Sequence, residues 1–75
     1  MRVQVNEHLS SVELRELGYR LSVIEGGYIS KDGATIIHLF RKPYYGEVSQ
    51  YKSGVEKEHE ANVQQLREQG YLEEK

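Results

Sequence analysis

Asp32-Gly33 constrains the fold more than any other pair of residues. It stands between Tyr28-Ile29-Ser30-Lys31 and a run over 34–41 rich in β-branched and aromatic residues. Asp-Gly in that setting is the strongest short-range signal for a β-hairpin. A two-residue turn there sets Lys31 opposite Ala34, Ser30 opposite Thr35 and Ile29 opposite Ile36. The second arm carries Ile36, Ile37, Leu39 and Phe40, which makes it apolar on both faces. It is therefore expected to be the central, most buried strand. Upstream, Tyr19, Leu21 and Val23 alternate with Arg20 and Ser22 as a strand would, until Gly26-Gly27 interrupts as a turn or a bulge. Val3 and Val5, alternating with Arg2 and Gln4, predict a short first strand.

Two helices flank these strands. Ser10 and Glu13 have capping-box spacing, and Leu9 and Leu14 the spacing of a hydrophobic staple. They predict a short helix over 11–17 that stops at Gly18. The stop Leu14-Arg15-Glu16-Leu17-Gly18-Tyr19 recurs as Leu66-Arg67-Glu68-Gln69-Gly70-Tyr71. Nothing outside these six residues aligns, so the match reads as one helix-stop used twice, with Gly at C′ and Tyr at C″. The second stop closes a helix over 55–69. Its apolar stripe of Val55, His59, Val63 and Leu66 is narrow, with Glu56, Lys57, Glu60, Gln64 and Arg67 outside it. Lys42-Pro43 is expected to end the central strand. The segment 42–54 reads as an irregular connection, and 72–75 as a frayed end.

The fold class expected is α+β. A small antiparallel sheet of three to four strands, in β-α-β-β-α order, packs against the C-terminal amphipathic helix as a single domain over 1–75. Its core is expected to join Leu14, Leu17, Val23, Ile29, Ile37 and Leu39 to the helix stripe. Seventy-five residues bury only about 60% of the surface of the unfolded chain. There is no Cys, so neither a disulfide nor a thiolate metal site staples the fold. Small unstapled domains often gain stability by oligomerising, which makes a homodimer the expected assembly. The start of the chain lacks the apolar run of a secretory signal, and no stretch approaches the ~20 apolar residues of a membrane span. A cytoplasmic location with no membrane partner is expected.

No motif names a reaction. His8, His38 and His59 are far apart in sequence, and no two have ligand spacing on one element. Each reads first as a boundary or packing histidine, and His38, in the central strand, would need a hydrogen-bond partner such as a tyrosine hydroxyl. Ser10 and Ser11 are explained by capping, Ser22 and Ser30 by the exposed side of strands. Gly26-Gly27 is too short for a phosphate loop. No cofactor, metal or catalytic residue is expected.

What remains is a tyrosine-rich, basic stretch over 40–52. Between 36 and 54, Arg41, Lys42 and Lys52 face the single acid Glu47, whereas 55–75 is strongly acidic. Arg41, Lys42, Tyr44, Tyr45, Tyr51 and Lys52 are the candidate binding residues. Tyr and Arg anchor many protein interfaces, so a non-enzymatic protein-binding or regulatory module is the first expectation. Rings interleaved with cations also suit single-stranded nucleic acid, so weak nucleic-acid binding is the second. A small hydrolase or nuclease using His38 or His59 with glutamates is the third, and it requires these groups to converge.

Overall fold

A computed structural model describes residues 3–41 and 44–73, with the side chains of Val3, Arg41, Tyr44 and Tyr45 outside that description. The elements follow as β1 (Val3–Val5), α1 (Ser11–Glu16), β2 (Arg20–Ser22), β3 (Gly27–Ile29), β4 (Thr35–Arg41), β5 (Tyr44–Gln50) and α2 (Glu56–Glu68). The fold is small α+β, with one five-stranded antiparallel sheet in the order β1-β5-β4-β3-β2 and a C-terminal helix. Strands β2 to β5 form a meander, and β1 closes the sheet beside β5. The chain leaves at the β1 edge and re-enters at the β2 edge, so α1 belongs to a crossover.

The central strand is β4, as its doubly apolar sequence requires. It pairs with β5 from Thr35↔Gln50 to Arg41↔Tyr44, and with β3 at Tyr28↔Ile37 and Ile29↔Ile36. Alternation then sorts the residues. Ile37, with Val48 opposite it and Val5 beyond, joins Leu9 and Leu14 near α1 and Leu66 of α2 in one buried cluster with Tyr19 and Leu72. Both helices therefore cover the same side of the sheet. Burying each of these aliphatic side chains is worth ~1.5–3 kcal/mol.

Both helix stops form as the repeated sextet predicts. Gly18 (φ +97°) and Gly70 (φ +79°) occupy the left-handed position. The N–H groups of Gly18 and Tyr19 reach the carbonyls of Arg15 and Leu14 (3.0 and 2.9 Å), and those of Gly70 and Tyr71 reach Arg67 and Leu66 (3.0 Å each). This is the Schellman pattern. At the start of α1 the Glu13 carboxylate accepts the Ser10 N–H at 3.1 Å and the Ser10 hydroxyl. Leu9 and Leu14 are both fully buried across that turn.

Several expectations need correction. The order is β-α-β-β-β-β-α, because most of the expected irregular connection is β5; of its described residues, only 51–54 lie outside regular structure. The core-facing side of β5 includes Gly46 and Val48, so a glycine stands where an apolar residue would have shown the alternation. Gly26-Gly27 divides a turn from a strand: Gly26 (φ +72°) closes the turn over 23–26 with its N–H on the Ser22 carbonyl at 2.8 Å, and Gly27 opens β3. Val23 lies in that turn and is 86% exposed, outside the core. The β3–β4 turn is not the two-residue type, whose I′ and II′ forms both need positive φ at the first central position, here Asp32; no non-glycine residue described has one. Instead Gly33 N–H bonds the Ser30 carbonyl at 2.9 Å and Gly33 takes φ +73°. The flanking register, Ile29 to Ile36, is as expected. Ser30 is buried rather than exposed. Of the end expected to fray, Leu72 is buried and bridged to Val5; residues 74–75 lie outside the described residues.

Candidate interaction surface

The segment singled out by its tyrosines and charges is divided by the fold. Arg41 ends β4 and Tyr44 opens β5, opposite each other in the register, and Phe40 stands opposite Tyr45. Lys42 lies outside the described residues. Tyr51 and Lys52 follow the far end of β5, where the Tyr51 N–H bonds the Ala34 carbonyl at 2.9 Å. Tyr45 and Tyr51 are six residues apart along an extended chain, a span of roughly 20 Å. Lys52 belongs with the β3–β4 turn, its Nζ close to Gly33. Arg41, Tyr44 and Tyr45 thus share one end of the β4–β5 ladder, and Tyr51 and Lys52 share the other.

A different grouping comes from alternation in β4. Ile36, His38 and Phe40 occupy the side opposite Ile37, away from both helices. Across β3 they meet Ile29 and Gly27, and beyond Ile29 lies Arg20 of β2. Ile36 is buried, Ile29 and His38 are half-buried, and Phe40 is 40% exposed. The buried state of Ile36 depends on Gly27. A Cβ at Gly27 would come within 2.9 Å of the Ile37 carbonyl oxygen and 3.1 Å of both the His38 ring and the Ile36 side chain. The glycine gives those two side chains room to settle against the strand. His38 finds the Glu25 carbonyl through Nε2 at 3.4 Å, a backbone partner and not the tyrosine hydroxyl expected. Glu47 stands opposite His38 in the β4–β5 register.

A polar cluster occupies the helix side, at the β3–β4 turn. The Asp32 carboxylate accepts the Ser30 hydroxyl at 2.5 Å, the Ala34 N–H at 3.0 Å and the Asn62 amide at 3.3 Å. Those donors hold its carboxyl below the usual carboxylate range, the Ser30 hydroxyl foremost. Asn62 also donates to Thr35 Oγ1 at 2.9 Å, and His59 Nδ1 lies 2.9 Å from the same oxygen. Burial holds His59 below its ordinary value, against a weaker opposing pull from Glu60. An open pocket of about 220 Å³ adjoins the cluster, lined by Leu17, Tyr19, Ser30, Lys31, Asp32, Asn62 and Gln65. Burial, assisted by the Asp32 charge, pushes the Tyr19 hydroxyl up to about 12.

A hydroxyl hydrogen-bonded to an imidazole is the pairing that nucleophilic catalysis requires. Here the hydroxyl belongs to Thr35, which is fully buried. No substrate carbonyl or phosphorus can reach it. The cluster instead ties α2 to the hairpin turn: Ser30, Asp32 and Thr35 contribute from the turn, His59 and Asn62 from the helix. His38 and His59 lie on opposite sides of the sheet and share no cleft. Among the described residues no three His, Asp or Glu side chains gather as a metal site would require, and no helix is long and apolar enough to cross a membrane.

Comparison with known proteins returns no match: no family model fits the chain, and no curated protein or solved structure is significantly similar to it. The functional reading therefore rests on surface chemistry alone. The uncovered sheet face was legible in principle, because Ile36, His38 and Phe40 stand at i, i+2 and i+4. It was obscured by the equally apolar Ile37 and Leu39 between them.

Proposed function

We propose that this chain is a non-enzymatic interaction module that binds another protein through the sheet face its helices leave uncovered. The observation that supports the reading is Phe40: a large ring, 40% exposed, on the same strand face as buried Ile36. Interface hot spots are typically aromatic and sit beside well-packed apolar neighbours, with polar groups around them. Arg20, His38, Glu47 and Gln4 supply such a rim. The charges on this face are of both signs, which suits a protein surface better than a polyanion. The test is capture by immobilised protein from an extract of the source cells, comparing wild type with Phe40→Asp. Phe40 lies outside the core cluster and is 40% exposed, so the variant keeps its melting temperature and loses the partner. Equal capture by both proteins would sink the reading.

A second reading is supported by the register itself. Phe40 and Tyr45 are directly opposed on the two central strands, and Arg41 and Lys42 follow Phe40. Single-stranded nucleic acid stacks on aromatic residues of neighbouring strands. The few cations imply weak affinity that falls steeply with salt. Fluorescence anisotropy with labelled oligonucleotides at low salt decides it, and a flat titration removes it.

A further inference from the structure

The two edges of the sheet are treated differently. At the β1 edge the chain's own C-terminal segment acts as a cover: Asn6 N–H bonds the Tyr71 carbonyl and Glu73 N–H bonds the Gln4 carbonyl, each at 2.9 Å, with Val5 and Leu72 bridged between them. At the β2 edge no described segment pairs beyond Arg20–Ser22. Exposed apolar side chains concentrate there. Leu21 is 54% exposed, and Val23 and Ile24 in the following turn are 86% and 95% exposed. Edge strands in native proteins are ordinarily guarded by Lys, Pro, a bulge or a covering segment, and turn tips ordinarily carry Gly, Asn, Asp or Ser. In β2 only the exposed charge of Arg20 and the shortness of the strand act as guards, and Leu21-Ser22-Val23-Ile24 after Arg20 carries neither charge nor Pro.

We infer that β2 is a self-pairing edge: two copies of the chain join antiparallel through Arg20–Ser22 to make one continuous ten-stranded sheet. The strand is complementary to itself in the register centred on Leu21. In that register Leu21 meets the second copy's Leu21 and covers the half-exposed side chain. Arg20 faces Ser22 in both halves, so no like charges stand directly opposed, an arrangement that would destabilise the pair. Val23 comes opposite Tyr19, and Ile24 follows at the rim of the contact. A two-fold axis through Leu21 closes the assembly at two copies, because each chain offers one open edge and the other is already covered. Three residues of ladder make a small contact, so the dimer is weak and dissociates on dilution. This edge is separate from the Phe40 face, and each can fail without the other.

Sedimentation velocity from about 5 to 500 µM tests it. The wild type is expected to shift from a monomer of 8.7 kDa toward twice that mass, Leu21→Glu to weaken the association at least tenfold, and Phe40→Asp to leave it unchanged. Ile24→Asp, at a site too exposed to affect folding, is expected to weaken it several-fold. Because the chain has no cysteine, single-cysteine variants report the register. Leu21→Cys is expected to oxidise to a covalent dimer faster than Val12→Cys, which is exposed on α1. A wild type that stays monomeric throughout the range overturns the inference. So does a dimer that tolerates Leu21→Glu and Ile24→Asp, or one in which Cys at position 12 cross-links as readily as Cys at position 21.

Discussion

Nδ1 of His59 lies 2.9 Å from the hydroxyl of fully buried Thr35, and that oxygen also accepts the Asn62 amide. Thr35 Oγ1 and His59 Nδ1 share one hydrogen bond, whose donor is set by the imidazole tautomer. Burial disfavours the charged imidazolium and outweighs the opposing pull of Glu60, so the pKa falls below the ordinary 6.5. In the folded state His59 binds fewer protons than in the unfolded chain. Its contribution is therefore present above pH 6.5 and lost as pH falls through the lowered folded value. Melting temperatures measured between pH 7.5 and 5 are expected to drop, and His59→Gln to flatten that part of the profile. A variant profile parallel to that of the wild type would remove this role for His59.

Gly46 sets how closely β1 and β4 approach β5. A Cβ there would lie 2.8 Å from the His38 carbonyl oxygen and 2.5 Å from Val5 Cγ2. One of those neighbours is backbone, so the strand itself has to move, and overpacking of that kind costs about 3 kcal/mol. Gly26, unlike Gly46, adopts positive φ, and nothing lies within 4 Å of its Cβ position. Gly26→Ala therefore costs only the left-handed strain, about 1 kcal/mol. Urea denaturation of the two alanine variants is expected to rank Gly46→Ala as clearly the more damaging. The reverse order would contradict this packing account.

Ile37 is the central residue of the central strand and is fully buried among Val48, Leu66 and Tyr28. Ile37→Ala removes buried methyl and methylene groups and leaves a cavity, at about 2–5 kcal/mol. A domain of this size has roughly 4–11 kcal/mol in total. Ile37→Ala is expected to melt cooperatively at a much lower temperature, and Ile37→Asp not to fold at all. A cooperative melt of Ile37→Asp would show that the core is centred elsewhere.

Features written in local chemistry could be read directly. The capping box at Ser10, both Gly-Tyr stops and the Asp32-Gly33 hairpin register depend on residues within a few positions of one another. Residues whose state depends on distant neighbours could not be read in the same way. Val23 alternates as a strand residue should, but lies in a turn because Gly26, three positions on, closes it. Strand β5 is specified by its partners: Gly46 looks like a loop residue until Val5 and the β4 backbone are seen to crowd it. Of the candidate binding residues, Tyr51 and Lys52 are close in sequence to Arg41 and Tyr44. The length of β5 carries them to the opposite end of the sheet. The uncovered face follows from the packing of Ile37 under the helices, which leaves Ile36, His38 and Phe40 on the other side.

The C-terminal segment illustrates the same dependence on distant partners. Its composition, rich in Glu and Lys, suggests a loose end, but Leu72 is only 8% exposed and pairs with Val5. Three hydrogen bonds hold the segment: Asn6 N–H to Tyr71 and Glu73 N–H to Gln4, both at 2.9 Å, and the Asn6 side-chain amide to the Gly70 carbonyl at 2.8 Å. The Schellman stop aims the chain at β1, and Leu72 then completes the core around Val5 and Leu9. Leu72→Ala is expected to cost about 2–3 kcal/mol, a fall of roughly 10 °C or more in melting temperature for a domain of this size. The amide of Glu73 should exchange slowly, in step with that of Asn6, because both bonds break when the segment lifts away. Free exchange at Glu73 with full protection at Asn6 would mean that the segment is not docked as a unit. The β1 edge would then be as open as the β2 edge.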